Sequence, residues 1–318
     1  MTNALYMVWN PSEGIDLGII MIRFYSLMFV VAFGLGWYIM KRIFEREHEP
    51  VENLDTLFIW TVLATLLGAR LGHVFFYDWE YYRNHLMEIL LPIRENANES
   101  ILFIQGWEFT GFQGLASHGA AIAIILVMYF YSKNVLKRPL IWILDRIVIP
   151  VASGAIFVRL GNFFNSEIVG EATTSPFGIK FLHDAYSPQD AVQATQIPDP
   201  KMAYDAIATS PQFAELLAAI PAKHPAQLYE AVGYIAIFIL LYFMYWKTDA
   251  RNKPGLLFGV FLVTLWTVRF VVEFIKESQG GFESALGDTF STGQWLSIPF
   301  IIAGIYFIVK AKKLPNTL

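Results

Sequence analysis

The chain has 318 residues, of which 55% are hydrophobic and only 16% charged, with a formal net charge of −4. A soluble domain carries about 25% charged residues. Together with a mean hydropathy of +0.45, this composition excludes an ordinary water-soluble fold and points to the membrane. Cysteine is absent from the sequence, so no thiol of the protein acts as nucleophile or metal ligand. No basic, aromatic-interleaved patch suggests nucleic acid.

Apolar windows long enough to cross a bilayer, about 17–25 residues, fall at Leu17–Met40, Leu54–Phe76, Leu115–Tyr131, Ile141–Phe164, Leu228–Trp246, Leu256–Phe274 and Trp295–Val309. They predict an all-α, polytopic membrane protein with about seven transmembrane helices. No basic n-region precedes the first window, which reads as a retained helix and not as a secretory signal. Basic clusters follow alternate windows: Lys41, Arg42 and Arg46; Lys133, Lys137 and Arg138; Lys247, Arg251 and Lys253; Lys310, Lys312 and Lys313. By the positive-inside rule the N-terminus is expected outside and the C-terminus in the cytoplasm.

The expected organisation is one transmembrane domain over residues 1–318 with two external segments. Residues 78–114 are rich in Trp, Tyr and acidic side chains and read as an interfacial arm. Residues 166–225 hold Ser187-Pro188, Pro198-Asp199-Pro200 and Ser210-Pro211. This long insertion reads as a small folded head, with Phe177, Ile179, Phe181, Phe213, Leu216 and Leu217 as its expected core.

Polar residues fall where lipid is expected. Arg23 and Tyr25 lie inside the first window, and Arg70 and His73 near the end of the second. His118 opens the third. The fourth ends in the run Val158–Gly170. Helical spacing there places Arg159, Asn162 and Ser166 on one stripe. An arginine near the centre of an isolated spanning helix costs about 2.5–3.5 kcal/mol, and a positive fork, an amide and a hydroxyl on one face suit an anionic ligand. The alternative is an arginine snorkelling to the interface beside a helix-ending turn. His224–Glu230 opens the fifth window. Arg269 and Glu273 are four apart in the sixth, so they share a face on which pairing as structural glue is the alternative to a role in the chemistry. Gly293-Gln294 opens the seventh. Most of these positions lie near the outer ends of their helices and predict one lined cavity.

These segments resemble the bacterial prolipoprotein diacylglyceryl transferases over essentially the whole chain. The resemblance rests on Ile22-Arg23-Phe24-Tyr25, Gly68-Ala69-Arg70-Leu71-Gly72, Ser117-His118-Gly119, Arg159–Glu167 with Gly170, His224–Glu230, Arg269–Phe274 and Gly293–Pro299. The Arg-x-Gly-Asn-Phe-x-Asn-x-Glu and His-Pro-x-Gln-Leu-Tyr-Glu runs are the specific ones. Three positions depart from the family pattern. Ala120 takes the place of a second glycine after the histidine, Leu265 that of a tyrosine, and Lys276 that of an arginine.

The resemblance implies transfer of the sn-1,2-diacylglyceryl group of phosphatidylglycerol to the lipobox cysteine of a prolipoprotein. A thioether forms and glycerol phosphate leaves. The expected partners are phosphatidylglycerol, the prolipoprotein signal peptide and membrane lipids, with no nucleic acid, no metal and no organic cofactor. A monomer in the bacterial cytoplasmic (inner) membrane is expected, with its site toward the outer face. The signal peptide also requires a lateral opening between helices.

Negative charge grows on the departing phosphate, which makes Arg159 and Arg269 the candidate stabilisers. A free thiol has a pKa of about 8.5, so a base near neutrality helps. His118 is the first candidate and His224 the second. The arginine field alone, or a purely structural role for His224 at the start of the fifth helix, are the alternatives. Tyr25, Asn162, Glu167, Gln227, Tyr229 and Glu230 are expected as head-group contacts and orienters, with Glu273 orienting Arg269. Asn165 and Gly170 read as helix stoppers, Gly293 and Gln294 as a helix start, and Arg70 and His73 as snorkelling residues. A transporter or channel is the rival reading, because intramembrane Arg and Glu also mark ion routes. A passive lipid-binding scaffold is a third.

Overall fold

The computed structural model of the protein describes residues 6–16, 21–101, 104–109, 114, 116–277 and 290–313. The expected window starts at residues 17–20 and 115, and residues 102–103 and 110–113 of the arm, lie outside the described residues. So do the side chains of Ser117 and His118.

The chain opens with strand β1 (Met7–Trp9) and a hairpin of β2 (Gly14–Asp16) and β3 (Met21–Arg23). Helix α1 (Phe24–Glu47) follows. The first helix therefore starts later than hydropathy predicts. The β2–β3 ladder, closed by a bond from Phe24 N–H to the Glu13 carbonyl (3.0 Å), commits Met21–Arg23 to extended backbone. Arg23 is exposed on that strand, not inside a span, and Tyr25 sits in the first turn of α1.

Helix α2 (Val51–Phe76) leads through the short α3 (Trp79–Tyr82) and α4 (Met87–Leu90) to a hairpin of β4 (Ile93–Ile101) and β5 (Ile104–Phe109). Helix α5 (Ser117–Tyr131) continues as a π-helical turn over Ser132–Leu136, and α6 (Leu140–Phe164) follows. The head contributes β6 (Ile179–Phe181), α7 (Leu182–Ala185), α8 (Pro188–Thr195), α9 (Pro200–Thr209) and α10 (Ala214–Ala219). The last three long helices are α11 (Ala226–Lys247), α12 (Leu256–Val272) and α13 (Thr292–Lys313). Seven helices among the described residues are long and apolar enough to cross a membrane, one for each predicted window.

Two compact units divide the chain, residues 41–144 and residues 1–40 with 145–318. In the smaller unit, α2 and α5 approach through glycines. A Cβ on Gly119 would lie 2.6 Å from Cα of Gly72, and one on Gly68 would lie 2.6 Å from the Gly119 carbonyl. The Ala116 N–H donates to the Ala69 carbonyl (2.9 Å) across the same seam. The close approach thus rests on Gly68, Gly72 and Gly119. Arg70 is buried, against the expectation of snorkelling. Its guanidinium donates to the carbonyls of Glu88 and Ile89 and lies 4.7 Å over the Tyr82 ring, pinning α4 to α2.

In the larger unit, α12 and α13 meet at Gly259 and Gly304, each of whose added Cβ would lie 2.8 Å from the other's carbonyl oxygen. At the opposite end of α12 from the candidate site, the buried Asp145 carboxylate accepts from Gly255 N–H (2.6 Å) and Phe258 N–H (2.9 Å). It thereby caps the start of α12 from a neighbouring helix.

The head has a core of Leu182, Ala191, Ala203, Tyr204, Ile207 and Ile220, with Leu216 and Leu217 packed against it. Ile179 and Phe181 belong to a second cluster with Phe163 and Val169, and Phe177 is exposed, so the expected core was only partly right. β1 pairs in parallel with β6, and Trp9 Nε1 donates to the Phe163 carbonyl (2.9 Å), so the N-terminal strand ties the head to the end of α6.

Candidate active site

Arg159 and Asn162 lie one turn apart near the end of α6, and Arg159 Nη1 donates to Asn162 Oδ1 at 3.2 Å. The predicted stripe holds for these two. It fails at Ser166, because α6 ends at Phe164 and Ser166 stands in the left-handed region at φ 54°. Ile168 is also left-handed, at φ 59°. Two such non-glycine residues cost roughly 1–3 kcal/mol each, and the strain turns the chain back over the helix end. Glu167 is the residue so placed. It accepts from Asn162 Nδ2 (3.3 Å) and Asn165 Nδ2 (3.1 Å), and its N–H donates to the Asn162 carbonyl (2.9 Å).

The first turns of α11 close the other side. Gln227, fully buried, donates through Nε2 to the Glu167 carbonyl at 2.6 Å. Arg159 Nε lies 2.7 Å from Glu230 Oε2 in a buried ion pair. The approach is close but off the N–H direction, so Oε2 accepts no aligned hydrogen bond. Glu230 Oε1 accepts from the Tyr234 hydroxyl (3.3 Å), which also contacts Arg159. Tyr234 was missed by the sequence reading, although it lies one helical turn beyond Glu230 and shares its face.

Tyr25 packs its ring on Gly161, whose added Cβ would lie 3.1 Å from Cδ2, and it feels the charges of both Glu167 and Arg159. Arg269, near the end of α12, is close enough for its charge to act on the Tyr234 hydroxyl, and that of Glu273 acts on Arg159. Arg269 and Glu273 do not pair with each other. Glu273 pairs with Lys276 at 3.3 Å, and the Arg269 guanidinium stacks 5.2 Å over the Trp266 ring. Trp266 in turn stacks on Phe300 with ring centroids 4.2 Å apart. Trp266, one residue after Leu265, thus supplies an aromatic face to Arg269. Gly293, at the start of α13, leaves room for the Glu273 carboxylate, since an added Cβ would come 2.7 Å from Oε2. Gln294 donates to the Phe270 carbonyl (3.4 Å).

A ribbon of extended segments gathers these elements. Gly170 bridges Lys276, Ala172 bridges Lys223, and Lys223 bridges Ile179. The Gly170 N–H donates to the His224 carbonyl (2.8 Å), and the His224 N–H to that of Glu171 (3.0 Å). A Cβ on Gly170 would stand 2.6 Å from His224 Cβ and 2.5 Å from the Ile275 carbonyl. Gly170 is therefore no helix stopper. It is the point where segments of the chain approach too closely for a side chain. The His224 ring reaches the Tyr229 hydroxyl (Nδ1 to O, 3.3 Å), and its backbone holds the start of α11. Asn165 does close the helix, its N–H donating to the Gly161 carbonyl (3.0 Å).

The structure thus brings Tyr25, Arg159, Asn162, Glu167, His224, Gln227, Tyr229, Glu230, Arg269 and Glu273 to one end of the larger unit. His118 belongs to the smaller unit, in the first turn of α5. His73 stacks on Tyr77, with centroids 5.9 Å apart, in that unit. Among the described residues no group of three or more His, Asp or Glu is arranged to hold a metal ion.

A buried arginine and a half-buried one among carboxylates, amides and phenols suit charge development on a phosphate. A profile of the prolipoprotein diacylglyceryl transferase family matches residues 13–310. The phosphatidylglycerol–prolipoprotein diacylglyceryl transferase of Chloroherpeton thalassium is 35% identical over 314 residues, covering 98% of this chain and 97% of the relative. Its namesake in Tolumonas auensis is 35% identical over 308 residues, 96% of this chain and 98% of the relative. That of Porphyromonas gingivalis is 36% identical over 300 residues, 93% and 91% of the two chains. With these matches over nearly its full length, the chain belongs to the prolipoprotein diacylglyceryl transferase family.

Proposed function

We propose that the protein transfers the sn-1,2-diacylglyceryl group of phosphatidylglycerol to the lipobox cysteine of a prolipoprotein. The cysteine sulfur forms a bond to the glyceryl carbon, the bond from that carbon to the phosphate oxygen breaks, and glycerol phosphate leaves. The thiol proton passes to a base or to the departing phosphate. The observation that carries this reading is the buried Arg159–Glu230 pair joined through Asn162 to Glu167, beside Arg269, at the ends of membrane-length helices. A family of transferases sets aside the transporter or channel reading.

The two arginines have unequal surroundings. Arg159 is held by Glu230 and Asn162, whereas Arg269 forms no carboxylate pair among the described residues and rests on Trp266. Arg269 is therefore the cation with more charge to offer the leaving phosphate, and Arg159 is oriented for it. Asn162, Glu167, Gln227 and Tyr25 line the same place and serve the head group. His118 is the proposed base, and the arginine field is the alternative route to the thiolate. The His224 contacts support a positioning role through Tyr229. The proposed setting is the bacterial cytoplasmic membrane, with the protein a monomer; the basic clusters support an N-terminus and site toward the outer face.

The purified protein, phosphatidylglycerol and a lipobox peptide should yield a peptide heavier by one diacylglyceryl group in mass spectrometry, and the Cys→Ser peptide should not. Folded protein that leaves the cysteine peptide unmodified would refute the reading. Turnover by His118→Gln equal to the parent would remove the histidine from the base role.

A further inference from the structure

A cavity of about 540 Å³ opens between the loop after α6 and the head. Its volume lies within the range of small-ligand sites, about 300–1,000 Å³. The lining includes Asn165, Ser166, Glu167, His183, Asp184 and Glu277. Lys223 bonds both Asp184 and Glu277 at 2.7 Å; with Glu167 also in the lining, three carboxylates are set against one ammonium and the wall is net negative. Burial pushes the His183 imidazole below its ordinary range against the opposing pull of Glu13 and Asp205, which keeps the ring neutral.

Ser166 supplies a second, independent observation. It is 4% exposed, on left-handed backbone, and its Oγ has no hydrogen-bond partner among the described residues. A buried hydroxyl left unpaired is costly, and one held so on strained backbone at a cavity wall points to a guest that pairs with it.

An acceptor-rich, net-negative wall suits a guest with N–H donors and no negative charge, and it repels phosphate. Resting on the transferase reading, the acceptor polypeptide meets this description. Its apolar segment ends at the cysteine, whose sulfur must reach the Arg159 site, and the residues beyond it leave the membrane at that end of the helices. Glu167 is shared by both places, since Asn162 links it to Arg159 and it also lines the cavity. We propose that this cavity receives the first residues of the acceptor polypeptide beyond its cysteine and favours a basic over an acidic side chain there. The carboxylates accept from its N–H groups, and the Ser166 hydroxyl donates to a carbonyl.

The test uses the full chain, phosphatidylglycerol vesicles and three lipobox peptides that differ only in carrying Lys, Ala or Asp after the cysteine. The Lys peptide should show a KM about three- to ten-fold below that of the Asp peptide, with kcat little changed. In parent protein the difference should shrink at about 0.5 M salt, a readout that needs no variant. Asp184→Asn and Glu277→Gln should each narrow it, and Ser166→Ala should raise the KM of all three peptides. Equal KM values at low salt, or a preference indifferent to salt and to both carboxylate variants, would overturn the proposal. Variants that move the KM of phosphatidylglycerol and not of the peptides would overturn it too, by making the cavity a head-group site. Failure to modify even the Ala peptide would instead refute the transferase reading.

Discussion

Arg159 Nε stands 2.7 Å from Glu230 Oε2, with the two side chains only 10% and 2% exposed. A pair so buried is dearly desolvated, and breaking it by removing one partner costs about 3–5 kcal/mol. Replacing both partners by apolar residues is often neutral. Glu230→Ala should therefore lower the thermal midpoint in detergent and abolish turnover. Arg159→Met with Glu230→Met should recover most of the midpoint and none of the turnover. Thermal unfolding beside the mass-spectrometric assay checks this, and an active double variant would deny the pair any part in catalysis.

Gly170 tests the ribbon. Its alanine variant would drive a Cβ into His224 and the Ile275 carbonyl, separating two strands that carry the His224 and Glu273 segments. Turnover of Gly170→Ala should fall more than ten-fold, with destabilisation of about 1–3 kcal/mol from overpacking. Gly34 in α1 meets nothing within 4 Å, so Gly34→Ala should fold and turn over normally. Equal behaviour of the two variants would contradict the close approach.

Arg70 donates to two carbonyls of α4 and stacks over Tyr82. Hydrogen bonds to a charged group are worth about 1.5–3 kcal/mol. Arg70→Met should raise amide exchange over residues 86–95 while leaving exchange in α9 as it was. Arg70→Lys should restore little, because an ammonium lacks the planar fork. Unchanged exchange in Arg70→Met would return this residue to the snorkelling role.

His183 predicts a pH dependence in the head. Burial lowers its pKa below 6.5, against the pull of Glu13 and Asp205, so the folded head binds protons less readily than the unfolded one. Its stabilising contribution is complete above the unfolded value and is lost as pH falls through the folded one. The ring lies 4.3 Å from Tyr204, and its Nε2 is 3.0 Å from Asn10 Oδ1. Proteolysis within α9 should rise as pH falls below about 6.5, and His183→Gln should flatten that rise.

Hydropathy was sufficient to count the spans, because a chain in hydrocarbon must satisfy every backbone donor within itself and the helix does so locally. Helical spacing was likewise sufficient to put Arg159 and Asn162 on one face. Both inferences depend on neighbours a few residues apart. The start of the first helix was not legible in the same way. Pairing with β2 overrides the apolar character of Met21 and Ile22.

Partners across elements were the other loss. Glu273 chose Lys276 over Arg269, Arg159 chose Glu230, and Ser166 left the stripe because α6 stopped at Phe164. Spacing offers several partners at comparable separations, and a charge takes the one whose backbone is already positioned. Arg70 illustrates the same point. Length and charge allow it to snorkel, yet two carbonyls of α4 stand within its reach.

The sequence by itself determined the membrane class, the seven apolar helices and the motif residues that mark the family. Local periodicity and transfer free energy govern these features, and they act along the chain. Only the tertiary structure decided which carboxylate faces Arg159, why position 170 bears no side chain, and that Tyr234 joins the network. Those choices follow from close contact between segments remote in the chain, where fractions of an ångström separate a hydrogen bond from a clash.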